Sequence, residues 1–320
     1  MAGGSAEARP RPGAPRGGRL MSLARALLVS VRPHQWTKNL VVLVALGFSK
    51  HLFDADAVLR ALAAFVIFCA LSGATYLLND LVDLEQDRLH PVKSRRPLPS
   101  GALPPAVAKW ACGLLSLSAL ASALLLGWPF AMAALGYFVL NLVYSFLLKH
   151  VVILDVLSIA VGFVLRAVAG ALAIGVVFSD WLLVCTTLLA LFLALSKRRH
   201  ELVTLADAAG HRRILAEYSP YLLDQMISVV TASCLTAYAF YTLAPETIDK
   251  YRTDRLSLTI PFVIYGIFRY LYLVHRREQG GSPSDLLLTD RPLLAAVALW
   301  TVAVMAIVYW APGVPMPRGH

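Results

Sequence analysis

Charge is what this sequence has least of. Asp, Glu, Lys and Arg make up 15% of its 320 residues, against 58% hydrophobic residues and a mean hydropathy of +0.67. A soluble domain carries roughly 25% charged residues, so the chain lacks the polar surface to stand in water, and the same figures exclude disorder and collagen. Cysteine is sparse too. Cys69, Cys112, Cys185 and Cys234 each lie in an apolar stretch without CxxC or Cys/His spacing, which leaves no disulfide scaffold or metal site and makes them packing residues. The charge that is present is unbalanced: 29 Lys and Arg against 19 Asp and Glu leave +10. In a soluble protein that excess raises the question of nucleic acid. In a chain this apolar it points to a basic membrane face, and no nucleic-acid partner is expected. What remains is an all-α polytopic membrane protein, because helices satisfy their own backbone groups in lipid.

Residues 1–20, MAGGSAEARPRPGAPRGGRL, are rich in Gly, Pro and Arg, and a disordered basic tail is expected over 1–30. The apolar run Ala26–Val31 is too short, and too closely flanked by Arg25 and Arg32, for a cleaved signal peptide; Met21 is a candidate start. Nine apolar segments come after it, at about 37–53, 57–79, 106–127, 129–148, 151–175, 179–196, 222–244, 256–275 and 292–311. Most approach the ~20 residues that cross a bilayer as helix. The first is the weakest, with Lys50 and His51 near its end. One nine-helix domain is therefore expected over 31–312, with a short tail at 313–320. If nine spans alternate from a cytoplasmic N-terminus, 21 of the 29 Lys and Arg fall on the cytoplasmic side, six fall outside, and Arg166 and Arg269 lie within spans. The positive-inside rule then gives a cytoplasmic N-terminus and an external C-terminus, with the loops after spans two and six in the cytoplasm.

The densest charge lies just beyond span two, where Asn79, Asp80, Asp83, Glu85, Asp87, Arg88, His90, Lys93, Arg95 and Arg96 crowd together. If the helix continues through them, Asp83 lies about 60° and Asp87 about 20° from Asp80 around the axis. Three carboxylates then share one face at the cytoplasmic mouth, while Glu85 points to another side. Like charges so placed need a cation between them. Mg²⁺ typically takes one or two carboxylates, several waters and phosphate oxygens. Lys93, Arg95 and Arg96, set off by Pro91, Pro97, Pro99 and Gly101, form a basic loop over the same opening. Acid and base together suit a metal–diphosphate substrate; a solvated, self-neutralising helix end is the plainer alternative. Deeper in the chain, Asp155 and Arg166 are about 20° apart on one helix but some 16 Å apart along it. They cannot pair, so Arg166 needs a phosphate or another carboxylate. Arg269 either meets a ligand or snorkels.

Asn79-Asp80-x-x-Asp83-x-x-x-Asp87 resembles the first aspartate-rich motif, NDxxDxxxD, of the UbiA superfamily of intramembrane prenyltransferases. Arg96-Pro97-Leu98-x-x-Gly101 is similar to the segment that trails the motif in that family. The resemblance covers nearly all of residues 30–300 and implies nine transmembrane helices around a central cavity. Further segments resemble one branch, the decaprenyl-phosphate phosphoribosyltransferases. These are Arg32-Pro33-His34-Gln35-Trp36-Thr37-Lys38-Asn39, Asp87-Arg88-x-His90-Pro91-x-Lys93, Tyr144-Ser145-x-x-Leu148-Lys149, Gly162-Phe163-x-x-Arg166, Lys197-Arg198-Arg199-x-Glu201, Tyr265–Tyr270 and Asp290-Arg291-Pro292-Leu293. That branch transfers 5-phosphoribose from phosphoribosyl diphosphate (PRPP) to a polyprenyl monophosphate, feeding arabinose-donor and cell-envelope glycan synthesis in the bacterial inner membrane. One absence fits it. Prenyl-transferring members carry a second motif, DxxxD, after the sixth span; here the position reads Ser196-Lys197-Arg198-Arg199-His200-Glu201.

The resemblance implies roles for particular residues. Asp80, Asp83 and Asp87 hold Mg²⁺ on the PRPP diphosphate, and Asn79 orients it. Lys38, Lys93, Arg95 and Arg96 are candidates for the diphosphate and the sugar 5-phosphate. Lys149, Arg166, Lys197 and Arg198 are candidates for either phosphate ligand; Arg88, His90, Tyr144, Glu201 and Arg269 complete the substrate-binding set. The lipid phosphate is already an anion, so no general base is assigned. Two rivals stand beside this reading. A prenyltransferase acting on an aromatic acceptor needs two metal-held diphosphate sites. A transporter or flippase places its polar residues near the midplane, often within inverted repeats; here the carboxylates sit at the rim and no repeat is found.

Overall fold

In a computed structural model of the chain, residues 22–204, 213–277, 281 and 283–310 are described, and among them there is no β-strand. Residues 1–21 and the tail at 313–320 lie outside the described residues. The end of the expected tail is ordered: α1 (Leu23–Ser30) is capped by the Ser22 hydroxyl, which accepts the Arg25 N–H at 3.3 Å. Ala26 packs into a cluster with Ala74 and Leu77, so the boundary expected at residue 30 moves back to the start of this helix.

A 3-10 helix over Pro33–Leu43 then runs into α2 (Val44–Phe48), succeeded by α3 (Ala55–Val82), α4 (Leu84–Leu89), α5 (Pro105–Ala123) and α6 (Trp128–Phe146). The remainder is α7 (Leu154–Ala173), α8 (Asp180–Thr204), α9 (Pro220–Leu243), α10 (Pro245–Tyr251), α11 (Ile260–Arg276), α12 (Pro283–Thr289) and α13 (Arg291–Trp310). Among the described residues eight helices are long and apolar enough to cross a membrane: α3, α5, α6, α7, α8, α9, α11 and α13, of which α5 and α11 are extended by flanking 3-10 turns. They match eight of the nine expected segments. The first segment differs. Its 16 residues would reach only about 24 Å as an α-helix, but the stretched 3-10 rise of its first 11 brings it to about 30 Å, the thickness of the hydrocarbon core.

Burial singles out two helices as the centre. About 61% of the apolar window of α3 and 56% of that of α7 are buried, against 22–39% in the other spans. Small residues allow this, because lipid gives helices no hydrophobic drive to associate and close backbone approach must do so instead. The buried face of α7 carries Ala160, Ala167, Ala169, Gly170, Ala171 and Ala173. A Cβ on Gly170 would overlap the Val42 carbonyl, so the 3-10 segment lies directly on α7. Phe68, Phe130 and Tyr137 wedge α3 against α6, while Phe192 and Tyr270 join α8 to α11. Trp110, Leu114 and Leu117 on α5 are exposed at helical spacing, the signature of a lipid-facing stripe.

Candidate active site

The acidic motif lies where α3 stops. Asp83 leaves the helix with φ −92° and ψ 9°, its N–H still donating to the Asn79 carbonyl at 2.9 Å, and the chain re-forms a helix only from Leu84. The continuous helix expected through this stretch is therefore broken, and its single acidic face with it. Asp80 and Asp87 still converge. Arg96 Nη1 donates to Asp80 Oδ1 at 3.2 Å and to Asp87 Oδ2 at 2.9 Å. Both carboxylates are 2% exposed, and charges so buried require such partners. Asp83 instead accepts from Lys149 Nζ at 2.5 Å. Glu85 is exposed, as expected, and pairs at 2.8 Å with Arg88, which is exposed beside it and turned away from the buried pair.

The basic loop closes over the acids. Lys93 Nζ stands 3.3 Å from Asp87 Oδ1, and His90 Nδ1 accepts the N–H groups of Val92 and Lys93 at 3.1 and 3.3 Å, which fixes the turn. Arg95 faces outward, exposed. Asn79 and Tyr144 are half-buried on α3 and α6, and Lys149 is buried just beyond α6. One cation that sequence reasoning did not assign joins them. Arg32 donates to Asp80 Oδ1 at 2.5 Å and its guanidinium stacks 4.9 Å over the Tyr76 ring. It takes a left-handed backbone, φ 53°, immediately before Pro33, a conformation costing on the order of 1–2 kcal/mol outside glycine. Its signal was present at the head of the Arg32–Asn39 motif, but an Arg before a first span reads equally as a positive-inside anchor.

Other candidates are used elsewhere. Arg198 commits to two carboxylates, Asp155 Oδ2 at 2.9 Å and Glu201 Oε2 at 2.5 Å. Asp155 is fully buried and also accepts from the Tyr218 hydroxyl at 2.8 Å. These contacts tie α7, α8 and the segment before α9 together and occupy the guanidinium that was expected to meet a phosphate. Lys197 is half-exposed, 3.9 Å from Glu201. Arg269 makes a bidentate pair with Asp290 at 3.1 and 2.8 Å, joining α11 to the start of α13 rather than reaching the acidic pair. Arg166 is buried and, as expected, does not meet Asp155; among the described residues it meets no carboxylate, bonding Asn39, Tyr137 and the Gly162 carbonyl. Lys38 lies within electrostatic reach of Arg166, Lys197 and Arg32, with Asp285 acting against them. The site thus has an acidic tier and, below it, a basic one. Two open clefts, about 630 Å³ between α9 and α11 and about 690 Å³ beside α10, are lined by none of these acidic-tier residues.

Known proteins resemble this chain in sequence and in fold. The profile of the UbiA prenyltransferase family matches residues 40–285. The chain belongs to that family. Decaprenyl-phosphate phosphoribosyltransferase of Mycolicibacterium smegmatis is 32% identical to it over 96% of this chain and 98% of its own. The protein of the same name from Corynebacterium glutamicum is also 32% identical, over 91% and 89%. A UbiA homolog from Archaeoglobus fulgidus, solved bound to GPP and Mg²⁺, superposes with a TM-score of 0.67 at 21% identity, covering 88% of this chain and 99% of that one; it shares the fold. Family membership and the long apolar helices make this a multi-pass membrane transferase.

The UbiA fold brings a divalent metal into question. Among the described residues no three His, Cys, Asp or Glu side chains gather as a metal site, and Asp83 stands apart from Asp80 and Asp87 on Lys149. Two do gather. Asp80 and Asp87 share one guanidinium nitrogen, so a single positive charge already sits between them. Two hard carboxylates, with the remaining positions left to water and phosphate, is a donor set that suits Mg²⁺.

Proposed function

We propose that this UbiA-family protein transfers 5-phosphoribose from PRPP to a polyprenyl monophosphate of decaprenyl type, releasing diphosphate. The observation that carries the reading is the state of the second acidic position. Its single carboxylate, Glu201, is tied to Arg198 at 2.5 Å and flanked by Lys197, so that end of α8 favours a phosphate over a second metal-held diphosphate. The names of the relatives aligned along nearly the whole chain support the same substrates.

In this reaction the bond from ribose C1 to the diphosphate oxygen breaks, and a bond from C1 to an oxygen of the lipid phosphate forms. Mg²⁺ held by Asp80 and Asp87 supplies Lewis-acid stabilisation of the leaving diphosphate. Arg32, Lys93 and Arg96 neutralise the remaining negative charge by direct hydrogen bonds; on substrate binding they exchange their carboxylate partners for phosphate oxygens. Asn79 orients the diphosphate, and Lys149 holds Asp83 beside the acidic pair. Lys38 and Lys197 face the phosphate monoesters below. The nucleophile arrives ionised, so no side chain has to accept a proton. The first segment serves as the ninth crossing, the acidic tier faces the cytoplasm of a bacterial inner membrane, and the product feeds cell-envelope glycan synthesis. The test is direct. Purified protein with Mg²⁺, ribose-labelled PRPP and a polyprenyl monophosphate should yield labelled lipid, and EDTA should abolish it. Absence of labelled lipid, alongside turnover of a prenyl diphosphate with an aromatic acid, would reassign the protein to prenyl transfer.

A further inference from the structure

Arg166 stands twelve residues beyond the first residue of α7, about 18 Å into the bundle, and is 6% exposed. A guanidinium buried there without a counter-charge is costly. Five other arginines at or near the site each take a carboxylate: Arg32 and Arg96 with Asp80, Arg88 with Glu85, Arg198 with Asp155, Arg269 with Asp290. Among the described residues Arg166 rests on neutral acceptors alone. Nε donates to Asn39 Oδ1 at 2.8 Å, Nη2 to the Tyr137 hydroxyl at 2.7 Å and Nη1 to the Gly162 carbonyl at 3.0 Å.

The cradle itself is fixed from several helices. Asn39 is fully buried; its Oδ1 also accepts from Ser72 at 3.2 Å, and its Nδ2 donates to Cys69 Sγ at 3.4 Å. The Ser72 hydroxyl lies 3.3 Å from that of Tyr137, and the Tyr137 ring stacks 4.5 Å from the guanidinium. Asn and Asp have the same shape. At the one position where an aspartate would cancel the charge, the chain carries its neutral counterpart. Three of the five guanidinium N–H donors are used, which leaves two for a ligand.

We propose that Asn39 and Tyr137 are positioning residues that hold Arg166 uncompensated, as the receptor for a phosphate monoester. The inference rests on the phosphoribosyl-transfer reading for its ligands, PRPP through its 5-phosphate or the lipid through its headgroup. It does not concern the diphosphate: Ser72 lies eight residues before Asp80 on α3, about 12 Å deeper. Lys38 lies within electrostatic reach of both Arg166 and Lys197, so further positive charge stands near the cradle.

Asn39→Asp supplies the missing carboxylate in place. If the network is merely structural, this variant is as stable as wild type and works as well. If the cradle keeps a charge free, the ligand-free variant melts no lower than wild type but loses ligand binding. The probes are ribose 5-phosphate and geranyl monophosphate, each added without Mg²⁺ to protein in detergent. One of them should raise the wild-type melting temperature and leave Asn39→Asp unmoved. The KM of the matching substrate should rise at least tenfold, with the other KM within twofold, and this names the phosphate that Arg166 receives. Tyr137→Phe should raise the same KM about threefold. Should Asn39→Asp fail to fold, Arg166→Lys must retain part of the probe-induced shift and Arg166→Gln must lose it. Wild-type probe binding by Asn39→Asp, equal binding by the two Arg166 variants, or no shift of the wild type by either probe overturns the proposal. Loss of the shift in a protein without phosphoribosyl transfer upholds the cradle and rejects the reaction; transfer unaltered by Asn39→Asp does the reverse.

Discussion

Asp80 and Asp87 meet although the helix carrying Asp80 ends between them. A helical wheel groups them with Asp83 because it assumes an unbroken axis; the break turns Asp83 to Lys149 and leaves the other two on Arg96. Their closeness gives a sharp expectation for single substitutions. Asp80→Asn and Asp87→Asn should each lower turnover at least ~100-fold, the scale set by losing one preorganised charge in a buried site, while the protein remains folded and membrane-inserted. Glu85→Lys removes only an exposed pair and should change stability by less than about 1 kcal/mol with turnover nearly intact. Transfer assays and thermal melts of the three variants, side by side, check this; an equal loss at Glu85 would remove the assignment of the buried pair.

Contacts between helices are governed by small residues and by a few ionic ties. Gly170 faces the Val42 carbonyl across the contact between α7 and the 3-10 segment, whereas a Cβ on Gly136 of α6 meets nothing within 4 Å. Gly170→Ala should therefore cost roughly 1–3 kcal/mol through overpacking, and Gly136→Ala should be neutral or stabilising by up to about 1 kcal/mol. Melting in detergent separates them. At the other end of the bundle, the hydrogen bonds from Arg269 hold the Asp290 carboxyl below its usual range, against the weaker upward push of burial. A carboxylate with a depressed folded value contributes its stability fully above its unfolded pKa and loses it as pH falls through the folded one. Wild-type protein should accordingly lose stability below about pH 4 more steeply than Asp290→Asn. Parallel acid limbs for the two would remove this tie from the account.

Across the whole molecule, the distribution of Lys and Arg predicts the orientation. Lys50 and Arg95 are exposed at opposite ends of α3. In intact cells, Lys50→Cys should react with a membrane-impermeant maleimide, and Arg95→Cys should react only after permeabilisation. The reversed pattern would place the acidic tier outside and cut it off from cytoplasmic PRPP.

Much of this protein was legible as sequence because lipid leaves so few choices. Scarce charge demanded a membrane, apolar runs near 20 residues gave eight spans, all but α8 within three residues of those observed at both ends while α8 runs eight residues further, and the NDxxDxxxD spacing located the acidic tier. Those are local properties: hydropathy and helical reach do not depend on what packs against a segment. The partners do. Whether Arg198 meets a phosphate or Asp155, and whether Arg269 meets a ligand or Asp290, depends on which helix lies alongside, and basic residues read alike in either role. The first segment escaped its expected form because its 3-10 winding comes with close contact to α7. Arg166 was recognisable as a charge in need of a partner; that its partners are the neutral Asn39 and Tyr137 was decided only when three distant segments packed around it.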